Sequence, residues 1–125
     1  MKRFLPLLFA VLLSPGAMAL DVVPYDADNF EQARAAGKVT AIQFHSGWCP
    51  ICVMQDRGVR SLKDDKDLGG AIVFQADFAK EDALRKRFNV NVFSTMVFFK
   101  GMEERSRTTG DFRPEQLKAL FAKAL

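Results

Sequence analysis

The residues of this chain best equipped for chemistry are its only two cysteines, Cys49 and Cys52, set in Trp48-Cys49-Pro50-Ile51-Cys52. An apolar run, Val39-Thr40-Ala41-Ile42-Gln43-Phe44, precedes them, and a stretch able to form a helix follows. A redox-active dithiol fits that setting. If Pro50 opens the helix, its missing N–H is no loss there and its fixed φ suits the first turn. Cys49 then stands at the helix N-terminus, where unpaired N–H groups and the macrodipole favour a thiolate. Cys52 lies one turn further in and more enclosed. The outer thiolate can attack a substrate disulfide, and the inner thiol can resolve the mixed disulfide that forms.

Two plainer uses of the pair compete. Two cysteines at this spacing supply half of a zinc site, but such sites normally take four ligands and His45 is the only histidine. No metal is therefore expected. A static staple is a poor use of the pair, because closing so short a loop removes little entropy from the unfolded chain.

The elements that must position the cysteines follow a leader. Met1-Lys2-Arg3 is basic, Phe4 to Leu13 is apolar apart from Pro6, and Ser14-Pro15-Gly16-Ala17-Met18-Ala19 is rich in small residues. That is the pattern of a secretory signal peptide cleaved after Ala19. About ten apolar residues are too few to span a bilayer, which takes roughly twenty, so no lasting membrane anchor is expected. Taking 19 residues from 125 leaves a mature chain of 106, Leu20 to Leu125, enough for one compact domain. Loss of Lys2 and Arg3 brings the formal charge from +3 to +1, and nothing then argues for nucleic acid. Export implies a periplasmic, oxidising setting, in which the dithiol persists only if something keeps reducing it.

Asp21-Val22-Val23-Pro24 reads as a short edge strand and Asp26 to Ala36 as a helix stopped by Gly37. Val39 to His45 lacks polar alternation except at Gln43, which suits a strand covered on both faces. Beyond the cysteines, Val53, Met54, Val59 and Leu62 give a partial helical stripe, with Gly58 expected to kink it. Lys63 to Asp67 is a charged, solvated loop before Gly69-Gly70. Ala71 to Ala76 is a second buried strand, and a helix runs from about Lys80 to Phe88. Thr95 to Phe99 and Glu103 to Thr108 form a hairpin across Lys100-Gly101. The last helix opens near Pro114 and buries Leu117, Leu120, Phe121 and Ala124. Strands separated by helices imply right-handed parallel crossovers, and the hairpin adds an antiparallel edge.

With these residues the chain resembles the thioredoxin family across nearly the whole mature domain. The likeness rests on Trp48-Cys49-x-x-Cys52 after a buried strand, on Phe98-Phe99-Lys100-Gly101, on Gly110 eleven residues after Phe99, and on the closing amphipathic helix. It implies an α/β thioredoxin fold, with a central mixed sheet of four to five strands flanked by about four helices. It also implies an exported thiol-disulfide oxidoreductase without a cofactor. Cys49 would attack, Cys52 would resolve, the two would alternate between dithiol and Cys49–Cys52 disulfide, and Trp48 would shield them.

Three departures stand out. Gln43 occupies the position where the family usually has a buried aspartate serving the inner thiol, and an amide takes no proton at neutral pH. Base assistance is then left to water, His45 or the partner, and an ordinary strand-end role suits His45 better. Ser94 stands where a cis-proline is usual. The Phe93-Ser94 bond is therefore either trans, with a reshaped loop, or cis at about 2.5–4 kcal/mol. In the family, the residue corresponding to Phe93 binds the substrate backbone. Pro50-Ile51 replaces the usual Gly-Pro, which alters the N–H groups facing the sulfur and so the potential.

The expected function is reduction of disulfides in exported proteins, or maintenance of apocytochrome or metallochaperone thiols, with electrons from a membrane thiol transporter. A dithiol oxidase is the same chemistry reversed, but oxidases of this fold usually carry a helical insertion for which 106 residues leave no room. A third reading is a Cu(I) carrier using both cysteines, with Met54, Met96 or His45; core packing is the simpler role for the methionines. Trp48, Ile51 and Phe93 would form an apolar patch for extended peptide.

Overall fold

The computed structural model describes residues 19–125, so the expected leader, apart from Ala19, lies outside the described residues. Strand β1 (Asp21–Pro24), helix α1 (Ala27–Ala35) and strand β2 (Val39–His45) come first. Helix α2 (Pro50–Ser61) carries the cysteine motif, and a 3₁₀ turn at Lys66–Leu68 leads into strand β3 (Ile72–Asp77). Helix α3 (Asp82–Phe88), the hairpin of β4 (Thr95–Lys100) and β5 (Glu103–Thr109), and helix α4 (Pro114–Ala122) complete the order.

The five strands form one mixed sheet, ordered β1-β3-β2-β4-β5. β3 pairs in parallel with both β1 and β2, whereas β4 runs antiparallel to β2 and β5. β2 is thus central, and its alternate side chains are buried on opposite faces. Ala41 packs with Val59 of α2, with Leu62 at the end of that helix, and with Leu117 and Phe121 of α4. Ile42 and Phe44 pack with Phe30 of α1 and Leu84 of α3. Cover on both sides explains why β2 shows no polar alternation. Phe30, Phe44, Phe74, Phe98, Phe99 and Phe121 are all fully buried, each contributing on the order of 1.5–3 kcal/mol by its removal from water.

Local chemistry sets the boundaries. The Asp26 carboxylate caps α1 by accepting from the Asn29 N–H at 3.1 Å. α3 starts at Asp82 rather than near Lys80, because the Asp77 carboxylate accepts from the Ala79 and Lys80 N–H groups at 2.9 and 3.2 Å, holding a turn there. The hairpin carries an irregularity between Phe98 and Phe99, where Phe98 faces Ser106 but Phe99 faces Glu104.

Gly58 does not kink α2, which is continuous from Pro50 to Ser61. It is glycine because the chain before α4 crosses the helix there. A Cβ on Gly58 would stand 2.1 Å from the Phe112 carbonyl oxygen and 3.0 Å from a Leu117 methyl. Alanine in a helix interior usually gains about 1 kcal/mol over glycine. Here Gly58→Ala should instead lose about 2 kcal/mol in urea denaturation, as overpacking does. A gain in stability would contradict the close crossing.

Candidate active site

At the C-terminal end of β2 the chain turns through Ser46-Gly47-Trp48 and enters α2. The Cys49 N–H donates to the Ser46 carbonyl at 3.2 Å, closing the turn. Cys49 is the N-cap of α2, with extended backbone (φ −89°, ψ 114°), and Pro50 takes the first helical position. The Cys49 Sγ accepts from the Cys52 N–H at 3.3 Å, filling the place an N-cap oxygen usually takes. A free helix-end donor thereby becomes a sulfur ligand.

Both thiols are enclosed. Cys49 is 1 % exposed and Cys52 0 %, so access does not distinguish them. Chemistry does. Burial pushes the Cys52 thiol up to about 11, helped by its hydrogen bond to Cys49 and by negative charge there, while the backbone at Ser46 and Ser94 draws it down less strongly. Around the pair, Trp48 is 74 % exposed and Ile51 39 %, and the Trp48 ring meets the half-buried Phe93 edge-on, 4.9 Å between centroids.

The loop before β4 takes the trans form, since no cis peptide occurs among the described residues, and Ser94 has φ +63°. A left-handed serine costs roughly 1–2 kcal/mol, so its surroundings must hold it. The Ser94 N–H donates to the Phe44 carbonyl at 2.9 Å, and its own carbonyl accepts from the Gly110 N–H at 3.0 Å. Gly110 can offer that donor because its own φ of +88° suits glycine.

Gln43 is fully buried, and its Oε1 accepts from Gln75 Nε2 at 3.1 Å. Gln75 Nε2 also donates to Asp56 at 2.5 Å, and Asp56 accepts from Arg60 Nε at 2.9 Å. The polar chain beneath α2 therefore ends on a carboxylate from the helix itself, which the sequence pattern did not flag. Gln43 Nε2 has no partner among the described residues. His45 is half-buried at the end of β2, and its ring has no hydrogen-bond partner among the described residues.

Met96 packs in the core as expected, whereas Met54 is 40 % exposed on α2. Among the described residues no group of three or more His, Cys, Asp and Glu is placed to hold a metal ion. Sequence reasoning also missed Gln55, Gly110 and Asp111 as site-shaping residues. The signal for Gln55 was a polar side chain on the otherwise apolar stripe of Cys52, Val59 and Leu62.

The raised Cys52 thiol makes the stability of the reduced protein depend on pH. Below pH 9.0 the folded and unfolded chains both keep the proton, and the folded state's preference for the neutral thiol is intact. As pH rises from there through about 11, the unfolded chain gives up the proton first and the reduced protein loses stability. Urea midpoints of the reduced protein should fall across that window more than those of the disulfide form, where Cys52 has no proton to lose. Equal falls would contradict the shift.

Comparison with known proteins agrees with this geometry. The Thioredoxin family matches residues 21–123. Thioredoxin H4 of Arabidopsis thaliana is 30% identical over 95 residues, covering 76% of this chain and 78% of that protein. Protein disulfide-isomerase erp38 of Neurospora crassa is 29% identical over 99 residues, covering 76% of this chain but 26% of that longer protein. The crystal structure of Trxlp from Edwardsiella tarda superposes with a TM-score of 0.75 at 26% identity, over 82% of this chain and 97% of that one. With its CxxC pair at the head of α2 and its five-stranded sheet, the chain belongs to the thioredoxin family of thiol-disulfide oxidoreductases.

Proposed function

We propose that this protein is an exported reductase of protein disulfides, working in the periplasm with Cys49 as nucleophile and Cys52 as resolving thiol. The observation that carries the division of labour is the asymmetry at the head of α2. The Cys52 N–H is bonded to the Cys49 sulfur, and the Cys52 thiol holds its proton up to about 11.

The Cys49 thiolate attacks one sulfur of a substrate disulfide, the S–S bond breaks, and the first substrate thiolate leaves and takes up a proton. Cys52 then loses its proton and attacks the Cys49 sulfur of the mixed disulfide, releasing the second substrate thiolate. The protein ends as the Cys49–Cys52 disulfide, and the substrate has gained two electrons and two protons. Resolution waits for the mixed disulfide because removal of the negative charge at Cys49 takes away one of the causes that raise Cys52.

Several features support the finer reading. Trp48, Ile51 and Val92 are exposed beside the half-buried Phe93, a collar suited to an extended apolar polypeptide. The described order of elements carries no helical insertion, which favours a reductase over an oxidase. The basic, apolar and small-residue pattern of Met1 to Ala19 supports export. A reductase in an oxidising compartment needs electrons returned to it, and a membrane thiol transporter supplies them in this reading.

The test is the equilibrium reduction potential of the Cys49–Cys52 pair in the mature chain starting at Leu20. A value near −270 mV, typical of thioredoxin, is expected. A value near −120 mV, typical of a strong dithiol oxidant, would overturn the reductase reading in favour of an oxidase.

A further inference from the structure

Gln55 lies one turn beyond Cys52 on the buried face of α2 and is 0 % exposed. Its Nε2 uses both protons, donating to the Ser94 carbonyl at 2.9 Å and to the Asp111 carbonyl at 2.9 Å. One side chain on the cysteine helix thus ties two separate corners, the turn into β4 and the turn out of β5. These corners are themselves joined, since the Gly110 N–H reaches the same Ser94 carbonyl at 3.0 Å. Ser94, at φ +63°, is held by Phe44 on its N–H and by Gly110 and Gln55 on its carbonyl.

The other end of the amide shows that packing alone does not account for this residue. Gln55 Oε1 is buried without a partner among the described residues, and a buried unpaired acceptor is unfavourable. Leucine or methionine would fill the stripe between Cys52 and Val59 without leaving it. Flipping the amide would set its oxygen against two carbonyl oxygens, so the two acceptors fix its orientation.

We infer that Gln55 is a positioning residue for thiol-disulfide exchange, clamping the Phe93–Ser94 corner against the helix that carries Cys49 and Cys52. The clamp supplies hydrogen bonds at a corner where serine is otherwise free to leave the left-handed region. It also keeps the Phe93 ring in register with Trp48, 4.9 Å away. The Ser94 backbone bears directly on Cys52, drawing its thiol down, so loosening the corner should be felt at the resolving step. The inference rests on exchange at Cys49–Cys52 and holds for either direction of electron flow.

Stopped-flow exchange of the reduced full-length mature protein with a disulfide-bonded model peptide provides the test, read as separate formation and resolution rates. Gln55→Met keeps the bulk and removes both donors, while Gln55→Glu keeps the reach and replaces the donors with acceptors. Both should slow resolution at least tenfold while the protein remains folded, and both should shift the pH profile of that step. A folded Gln55→Met that resolves at the wild-type rate with an unchanged profile overturns the inference. So does a purely structural outcome, in which the melting temperature falls and the rates stay put. One measurement on the unaltered protein stands whether or not the variants fold. The Gln55 side-chain amide protons should exchange at least a hundredfold more slowly than those of free glutamine, and exchange at the free rate overturns the clamp. Wild type inactive toward the peptide would refute the exchange chemistry itself, whereas an active wild type matched by Gln55→Met refutes only the role of Gln55.

Discussion

A single hydrogen bond, from the Cys52 N–H to the Cys49 sulfur, organises the chemistry of this protein. It exists because a strand buried on both faces ends at His45, a tight turn follows, and Pro50 starts a helix at a fixed angle to the sheet. A cysteine at the N-cap must then point its sulfur at the N–H of the third helical residue, which is the second cysteine. Everything else serves to hold that junction still. The two phenylalanine-rich layers fix the sheet, α4 and the chain before it press on α2 at Gly58, and the 2.1 Å that a Cβ there would leave shows how close the approach is.

Enclosing both thiols changes how the site can work. Cys49 is 1 % exposed and Cys52 0 %, so a partner disulfide meets an enclosed pair rather than an exposed thiolate. Burial also pushes the Cys52 thiol up, and its hydrogen bond to Cys49 and the negative charge there add to that. The polar groups beneath α2 form a chain from Gln43 through Gln75 to Asp56 and Arg60. The carboxylate in this protein thus comes from the active-site helix, and an amide occupies the strand.

Much of this was legible in the sequence, for physical reasons. Period and punctuation located β2, the Pro50 helix start and the α4 stripe of Leu117, Phe121 and Ala124, because burial and proline geometry act locally. Other features depend on residues distant in sequence. Gly58 read as a kink because the Phe112 carbonyl that forbids a side chain there is 54 positions away. Gln55 drew no notice in the sequence, because its acceptors on Ser94 and Asp111 belong to other elements. Nothing local to Phe93-Ser94 decides between the two conformations open to that bond. The trans form and left-handed Ser94 follow from hydrogen bonds to Phe44, Gly110 and Gln55.

The most direct measurement is covalent trapping. Mature protein carrying Cys52→Ser or Cys49→Ser is mixed with a disulfide-bonded protein substrate and the adducts are counted by mass. Cys52→Ser should accumulate a stable mixed disulfide through Cys49, at least tenfold more than Cys49→Ser accumulates through Cys52. Equal trapping by both variants, or trapping mainly through Cys52, would contradict the assignment of attack to Cys49 and resolution to Cys52.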